Sequence, residues 1–304
     1  MAPALTRRSC AAAAIGAALC GALPARAQAP SAAQPPGPDH SSVHARAALA
    51  ALEARNGGRL GVVALDTGSG RRIDYRAEER FAMCSTHKLF SAAAVLTMVD
   101  QGHMKLDRRV PFGRADLLEY APITRKNVDA GFMTVDALCE AAIEWSDNTA
   151  GNLLLVSLGG PPGLTAYARS LGDQITRLDR IETDLNEATP GDPRDTTTPA
   201  AMLENLRRIV LGDVLSRRSR ERMTAWLIAN KTGDKRLRAG LPGDWRVGDK
   251  TGGGGNGATN DIAVIWPPSR GPIIVAAYFA ESPASPDDRN AVLAQVGRLI
   301  AENA

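Results

Sequence analysis

The chain has 304 residues, 44% hydrophobic and 23% charged, which suits a globular protein with a sizeable core in one large domain or two smaller ones. The formal net charge is +3, and Arg7, Arg8 and Arg26 sit in a leader stretch without acids, so the remainder is balanced. That balance argues against nucleic-acid binding through a basic surface, and the four histidines show no H-x-H-x-D or H-E-x-x-H spacing of a zinc hydrolase.

Residues 1–27 read as an export signal. Arg7-Arg8 give a basic start, the apolar run from Cys10 to Leu23 is too short to span a bilayer, and Ala25-Arg26-Ala27 is an A-x-A cleavage site. The arginine pair leaves both the general secretory and the twin-arginine routes open. Cleavage removes Cys10 and Cys20 and leaves Cys84 and Cys139. Residues 28–41, rich in Pro, Ala, Ser and Gln, form a disordered lead-in. No later apolar run approaches a membrane span, so a periplasmic or secreted location off the membrane is expected.

Ser42 is placed to cap a helix running through Val43 to Glu53, stopped by Gly57-Gly58. Arg59 to Leu65 and Arg71 to Tyr75 read as strands of a hairpin across Asp66-Thr67-Gly68-Ser69-Gly70. From Cys84 to about Trp226 the pattern is mostly helical. Helices are expected after Ser85 up to Gln101-Gly102, over Val135–Ile143, Asn148–Leu158, Pro199–Leu211 and Ser219–Ile228. After Gly233, Trp245–Thr251, Thr259–Trp266 and Ile273–Ala280 are strands by their Val, Ile and aromatic content, and Asp287–Ala301 is a closing helix. Early and late strands around a helical middle predict a sheet domain (42–80 plus 228–304) with a helical domain (81–227) inserted into it.

The chemistry centres on Ser85-Thr86-His87-Lys88. Residues three apart share a helical face, so hydroxyl and amine would lie side by side, and a serine needs such a base to act as a nucleophile. Ser146-Asp147-Asn148 stands at a join of two helices, where any of the three residues could serve as an N-cap. Lys250-Thr251-Gly252, followed by Gly253, lies on a strand whose glycines would let a substrate approach the backbone. Lys231-Thr232-Gly233 repeats the letters in a loop setting, so Lys231 is taken as a loop residue. Residues 180–195 have the size of an Ω-loop. Glu182 and Asn186 could hold a water there if Arg180 and Asp195 pin the neck.

In this order and spacing the pieces resemble the class A serine β-lactamases, whose recorded signature is Ser-x-x-Lys, Ser-Asp-Asn and Lys-Thr-Gly. The resemblance spans roughly residues 42–302. Thr259-Asn260-Asp261-Ile262-Ala263-Val264-Ile265-Trp266-Pro267, with Thr196-Thr197-Thr198-Pro199, looks most like the extended-spectrum, cefotaxime-hydrolysing branch. The resemblance implies an α+β fold: a five-stranded antiparallel sheet flanked by helices, with an inserted helical domain and the active site between the two. It implies hydrolysis of penicillins and cephalosporins through an acyl-enzyme on Ser85, hence antibiotic resistance, by a monomer needing neither cofactor nor metal. Lys88 or Glu182 would take the serine proton, Ser146 would protonate the leaving nitrogen, and Glu182 with Asn186 would activate the deacylating water. Asn148, Lys250, Thr251, Gly252, Gly253 and Tyr120 would bind substrate, with the N–H groups of Ser85 and Gly253 holding the oxyanion.

There are departures from the family pattern. Thr259 stands where many penicillinases have an arginine, which leaves Arg289 as a candidate carboxylate partner. The cysteine pairings of the related branches lack their second cysteine here, so Cys84 and Cys139 are expected to be free and buried. His87 replaces a frequent aromatic and is expected to pack rather than to act. Penicillin-binding D,D-peptidases and β-lactam sensor domains share the three motifs, and the Glu182/Asn186 loop separates a hydrolase from both.

Overall fold

In Ile262–Trp266 and Ile273–Ala280 the apolar residues are continuous rather than alternating, which is the pattern of strands buried on both faces. The computed structural model, which describes residues 40–303, shows why. Strands β1 (Arg59–Asp66), β2 (Arg72–Tyr75), β3 (Arg246–Gly253), β4 (Thr259–Trp266) and β5 (Ile273–Ala280) form one antiparallel sheet in the order β2-β1-β5-β4-β3. Successive side chains point to opposite faces. Thus Ile273, Val275, Ala277 and Phe279 join one core with Ala263 and Ile265, against Leu49 and Leu52 of helix α1 (His40–Asn56) and Val292, Val296 and Ile300 of the closing helix (Pro286–Asn303). Ile274, Ala276 and Tyr278, with Ile262 and Val264, face a second core built with the middle helices.

Those helices are α2 (Lys88–Asp100), α3 (Val135–Glu144), α4 (Asn148–Ser157), α5 (Gly160–Ser170), α6 (Pro199–Val210) and α7 (Arg217–Ile228). Fully buried Leu89, Phe90, Val95 and Leu96 make α2 the central helix of that core. Among the described residues β3 pairs only with β4, and its other edge borders the turn before α2.

The sequence expectations hold closely for the sheet, and the differences have local causes. Residues 1–27 and 28–39 lie outside the described residues. His40 and Ser41, expected in the lead-in, are already helical, so Ser42 lies inside α1 and not at its cap. Gly159-Gly160-Pro161-Pro162 does end α4, but it also opens α5, for which no helix is expected from the sequence. Proline is well tolerated in a helix's first turn, where its missing N–H has no partner to lose. α7 starts at Arg217, two residues early, because Ser216 accepts a hydrogen bond from Ser219 N and caps it.

Candidate active site

Cys84–His87 forms a 3₁₀ turn that runs into α2. In a 3₁₀ turn side chains three apart eclipse one another, and Lys88 Nζ lies 2.9 Å from Ser85 Oγ. Cys84, just before Ser85, has φ +46°, and Ser146 has φ +58°. Left-handed backbone at non-glycine residues is costly and collects at functional sites. Asn260 on β4 anchors this turn by donating to the carbonyls of Ala82 and Met83, at 2.9 and 3.1 Å.

Ser146-Asp147-Asn148 divides its labour. Asp147 is the N-cap of α4 and accepts from Ala150 N at 2.9 Å. It also accepts from Ile123 N and Thr124 N, both at 2.9 Å, which fixes the segment carrying Tyr120. Ser146 and Asn148 are thereby left to face Lys88, whose Nζ donates to Ser146 O at 2.9 Å and Asn148 Oδ1 at 2.7 Å. Lys88 is completely buried, and its stem fits because α4 carries Gly151, where a Cβ would come within 2.7 Å of Lys88 Cε.

The loop neck is pinned as its sequence suggests. Arg180 Nε lies 2.6 Å from Asp195 Oδ2, while Asp195 Oδ1 accepts from the N–H groups of Asp179 and Arg180, at 2.7 and 2.9 Å. Glu182 is carried inward and buried. Its Oε1 lies 2.8 Å from Lys88 Nζ and 3.3 Å from Ser85 Oγ. Asn186 donates directly to Oε2, a closer approach than a water held between the two residues would require. Burial alone would raise this carboxyl, but the Lys88 ammonium and then the His87 contact outweigh it and hold it well below the usual carboxylate range.

On β3, Lys250 is completely buried and donates to Ser146 Oγ at 3.0 Å. Burial, followed by the nearby Lys88 charge, pushes its ammonium well below the ordinary lysine value. The glycines beyond it differ in role. A Cβ at Gly252 would meet Met83 O at 2.7 Å, so that glycine makes room for the turn before Ser85. At Gly253 a Cβ would meet nothing closer than 3.9 Å, which leaves its backbone open to a ligand.

These elements surround a cleft of about 270 Å³ lined by Ser85, Tyr120, Ser146, Asn148, Asn186, Arg236, Thr251, Gly252 and Gly253. Every one of these except Arg236 is singled out by the sequence motifs, and Lys88, Glu182 and Lys250 lie buried directly behind the lining. Tyr120 stands at the mouth, 49% exposed, and its carbonyl accepts from Asn148 N at 3.1 Å. Lys231 is exposed, as expected of a loop residue, although its neighbour Thr232 bonds to the Thr251 hydroxyl.

Three features go beyond the sequence reading. Arg289 does not line the cleft: its Nε donates to Thr259 Oγ1 at 3.1 Å and its Nη1 to Ala284 O. The lining cation is Arg236, fixed by bonds to Gly252 O at 2.7 Å, Asn260 O at 2.6 Å and Asn290 Oδ1 at 2.9 Å. Asn152 clasps the backbone of Glu182, accepting from its N–H and donating to its C=O, each at 2.9 Å. Its spacing of four from Asn148 on α4 is the one sequence signal that could have marked it. His87 reaches Glu182 as well, with Nε2 at 3.3 Å from Oε1, so it does more than pack. Cys84 and Cys139 are free and buried as expected, and burial pushes the Cys84 thiol up to about 12.

A buried serine, two lysines and a carboxylate on one cleft can form and then hydrolyse an acyl-enzyme, and the excess of cations suits an anionic substrate. Residues 44–304 match the β-lactamase enzyme family. The chain is similar to β-lactamase AST-1 of Nocardia asteroides, 51% identical over 254 residues that cover 84% of this chain and 82% of that one. It is also similar to β-lactamase CTX-M-8 of Citrobacter amalonaticus, 49% identical, with 84% and 87% of the two chains covered. Among solved structures it is similar to an ancestral (GNCA) class A β-lactamase, 64% identical with a TM-score of 0.84, over 85% of this chain and 99% of that one.

Proposed function

The chain belongs to the class A serine β-lactamases, enzymes that hydrolyse the β-lactam amide, and from that premise we propose a role for each residue of the cleft. Ser85 Oγ bonds to the lactam carbonyl carbon. Lys88 must be neutral to receive its proton, so the ammonium first passes one to Glu182 Oε1, 2.8 Å away, and then takes the Ser85 proton across 2.9 Å. The oxyanion is held by the N–H groups of Ser85 and Gly253. Each such donor is worth about 3–4 kcal/mol of barrier. As the intermediate collapses, the C–N bond breaks and the nitrogen takes the proton of Ser146; Lys88 replaces that proton and is recharged by Glu182, 2.8 Å away, which leaves the carboxylate ionised for the next step. The Ser146 hydroxyl is free to donate into the cleft because Lys250 donates to its oxygen. Lys250, Thr251 and Arg236 recognise the substrate carboxylate, Asn148 the side-chain amide, and Tyr120 forms the apolar wall.

Deacylation decides the function. Glu182 takes a proton from water, also bonded to Asn186, and the hydroxide attacks the ester so that the Ser85–acyl bond breaks and Ser85 regains its proton. The observation that carries this reading is the buried Glu182 carboxylate, 2.8 Å from Lys88 and 3.3 Å from Ser85, on a loop pinned at its neck. A D,D-peptidase or a sensor that stays acylated has no use for that group. The same reading takes 42–80 plus 228–304 as the sheet domain and 81–227 as the helical domain, with the cleft where they meet. It takes the protein as a monomer, acting outside the cytoplasm on small-molecule penicillins and cephalosporins, with no nucleic acid, membrane, metal or cofactor in the reaction. Among the described residues no helix is long and apolar enough to cross a membrane. Purified protein is expected to hydrolyse a chromogenic cephalosporin and Ser85→Ala to abolish this; undiminished turnover by the variant would remove the nucleophile assignment.

A further inference from the structure

His87 is completely buried, two residues past the nucleophile. Its Nε2 lies 3.3 Å from Glu182 Oε1, while its Nδ1 is buried and has no hydrogen-bond partner among the described residues. An ionised carboxylate only accepts, so Nε2 must carry a proton in this contact. Orphaned buried N–H groups are rarer than orphaned acceptors, so the unpartnered Nδ1 is the bare nitrogen. The ring is therefore the neutral tautomer with its proton on Nε2.

The charges around it agree. The groups facing the ring are the Glu182 carboxylate from the Ω-loop, the Lys88 ammonium from α2 and the Lys250 ammonium from β3. Burial disfavours the imidazolium most, Glu182 favours it, and the two lysines oppose it; the balance lies toward the neutral ring. Glu182 is thus held on both oxygens, by Asn186 on Oε2 and by His87 and Lys88 on Oε1.

We propose that His87 is a positioning residue for deacylation: as the neutral Nε2–H tautomer it donates to Glu182 Oε1 and fixes the carboxylate that activates the water. An aromatic ring without a donor could fill the same volume but could not set the orientation or the proton affinity of Glu182. The proposal rests on Glu182 being the deacylating base.

The test compares His87→Phe with His87→Gln, whose amide can place an N–H near the position of Nε2. Loss of a donor to the charged form raises a carboxyl's pKa. The acid limb of the kcat–pH profile in His87→Phe should therefore move up by about one pH unit, and in His87→Gln it should stay near the parent. Coincident limbs in His87→Phe and the parent, or a Gln variant that behaves like Phe, would reduce His87 to packing. Should the Phe variant fail to fold, the imidazole ¹⁵N spectrum of the parent decides. His87 should show protonated Nε2 and bare Nδ1 throughout the range from about pH 5 to 8; an imidazolium or an Nδ1–H form there would overturn the proposal. Parent-rate turnover by Glu182→Ala would instead remove the base assignment, and this proposal with it, before either His87 variant is measured.

Discussion

Asn152 offers the sharpest perturbation of the deacylation machinery, because it touches Glu182 only through the backbone. Asn152→Ala removes two mutual hydrogen bonds, at 2.9 Å each, between α4 and the peptide groups of Glu182. A neutral hydrogen bond contributes about 1 kcal/mol net. Losing both lets Glu182 leave its position at a cost reduced by about 2 kcal/mol, equivalent to roughly 30-fold in rate. A displacement of about 1 Å in a catalytic group costs on the order of 100-fold, which gives the same scale. The loop itself should stay closed, since the Arg180–Asp195 pair at its neck is untouched. Steady-state and burst kinetics on a chromogenic cephalosporin should show kcat lower by about 10- to 100-fold, with an initial burst near one equivalent as deacylation becomes limiting. A kcat within twofold of the parent in a folded variant would refute the claim that this clasp sets the position of Glu182.

Two further outcomes follow from the charges around the cleft. Burial and the Lys88 charge depress the Lys250 ammonium, so carboxylate recognition should be lost on the alkaline side below the ordinary lysine value of about 10.4. The unfolded chain binds that proton more tightly than the folded one, so this group makes stability rise with pH through the same window. Lys250→Arg keeps its charge at any accessible pH and should erase the alkaline limb of kcat/KM even if its absolute value falls. A persistent limb would assign the titration elsewhere. Arg236→Gln should raise KM for a carboxylate-bearing cephalosporin by about 10-fold or more, the worth of one charge-assisted contact. An unchanged KM would leave Arg236 as a brace between β3 and β4.

Much of this architecture could be read from residue order alone. β4 and β5 have the expected bounds because both of their faces are buried along almost their whole length. Of the three motifs only Ser146-Asp147-Asn148 is marked by capping, through Asp147 at the start of α4; Ser85 and Lys88 are placed by helical spacing and Lys250 by its position inside β3. What escaped depends on partners remote in the chain. Arg236 stands beside a decoy Lys-Thr-Gly among alternating charges, the composition of a solvated loop. Only the fold turns it under the edge of β3, where two carbonyls hold it. His87 lies on a turn whose local geometry says nothing about a loop arriving 95 residues later to place Glu182 against it. The Gly-Gly-Pro-Pro run reads as a stop, and that the chain can restart at once depends on α5 finding an apolar face to cover, through Leu164 and Ala168.

The central claim is that Ser85 becomes acylated and Glu182 releases the acyl group. Intact-mass spectrometry of Glu182→Ala after exposure to benzylpenicillin tests both halves at once. A stable adduct of one penicilloyl group, mapped to Ser85 and absent in the double variant with Ser85→Ala, is the expected result. Turnover of benzylpenicillin by Glu182→Ala at the parent rate, with no adduct, would contradict it.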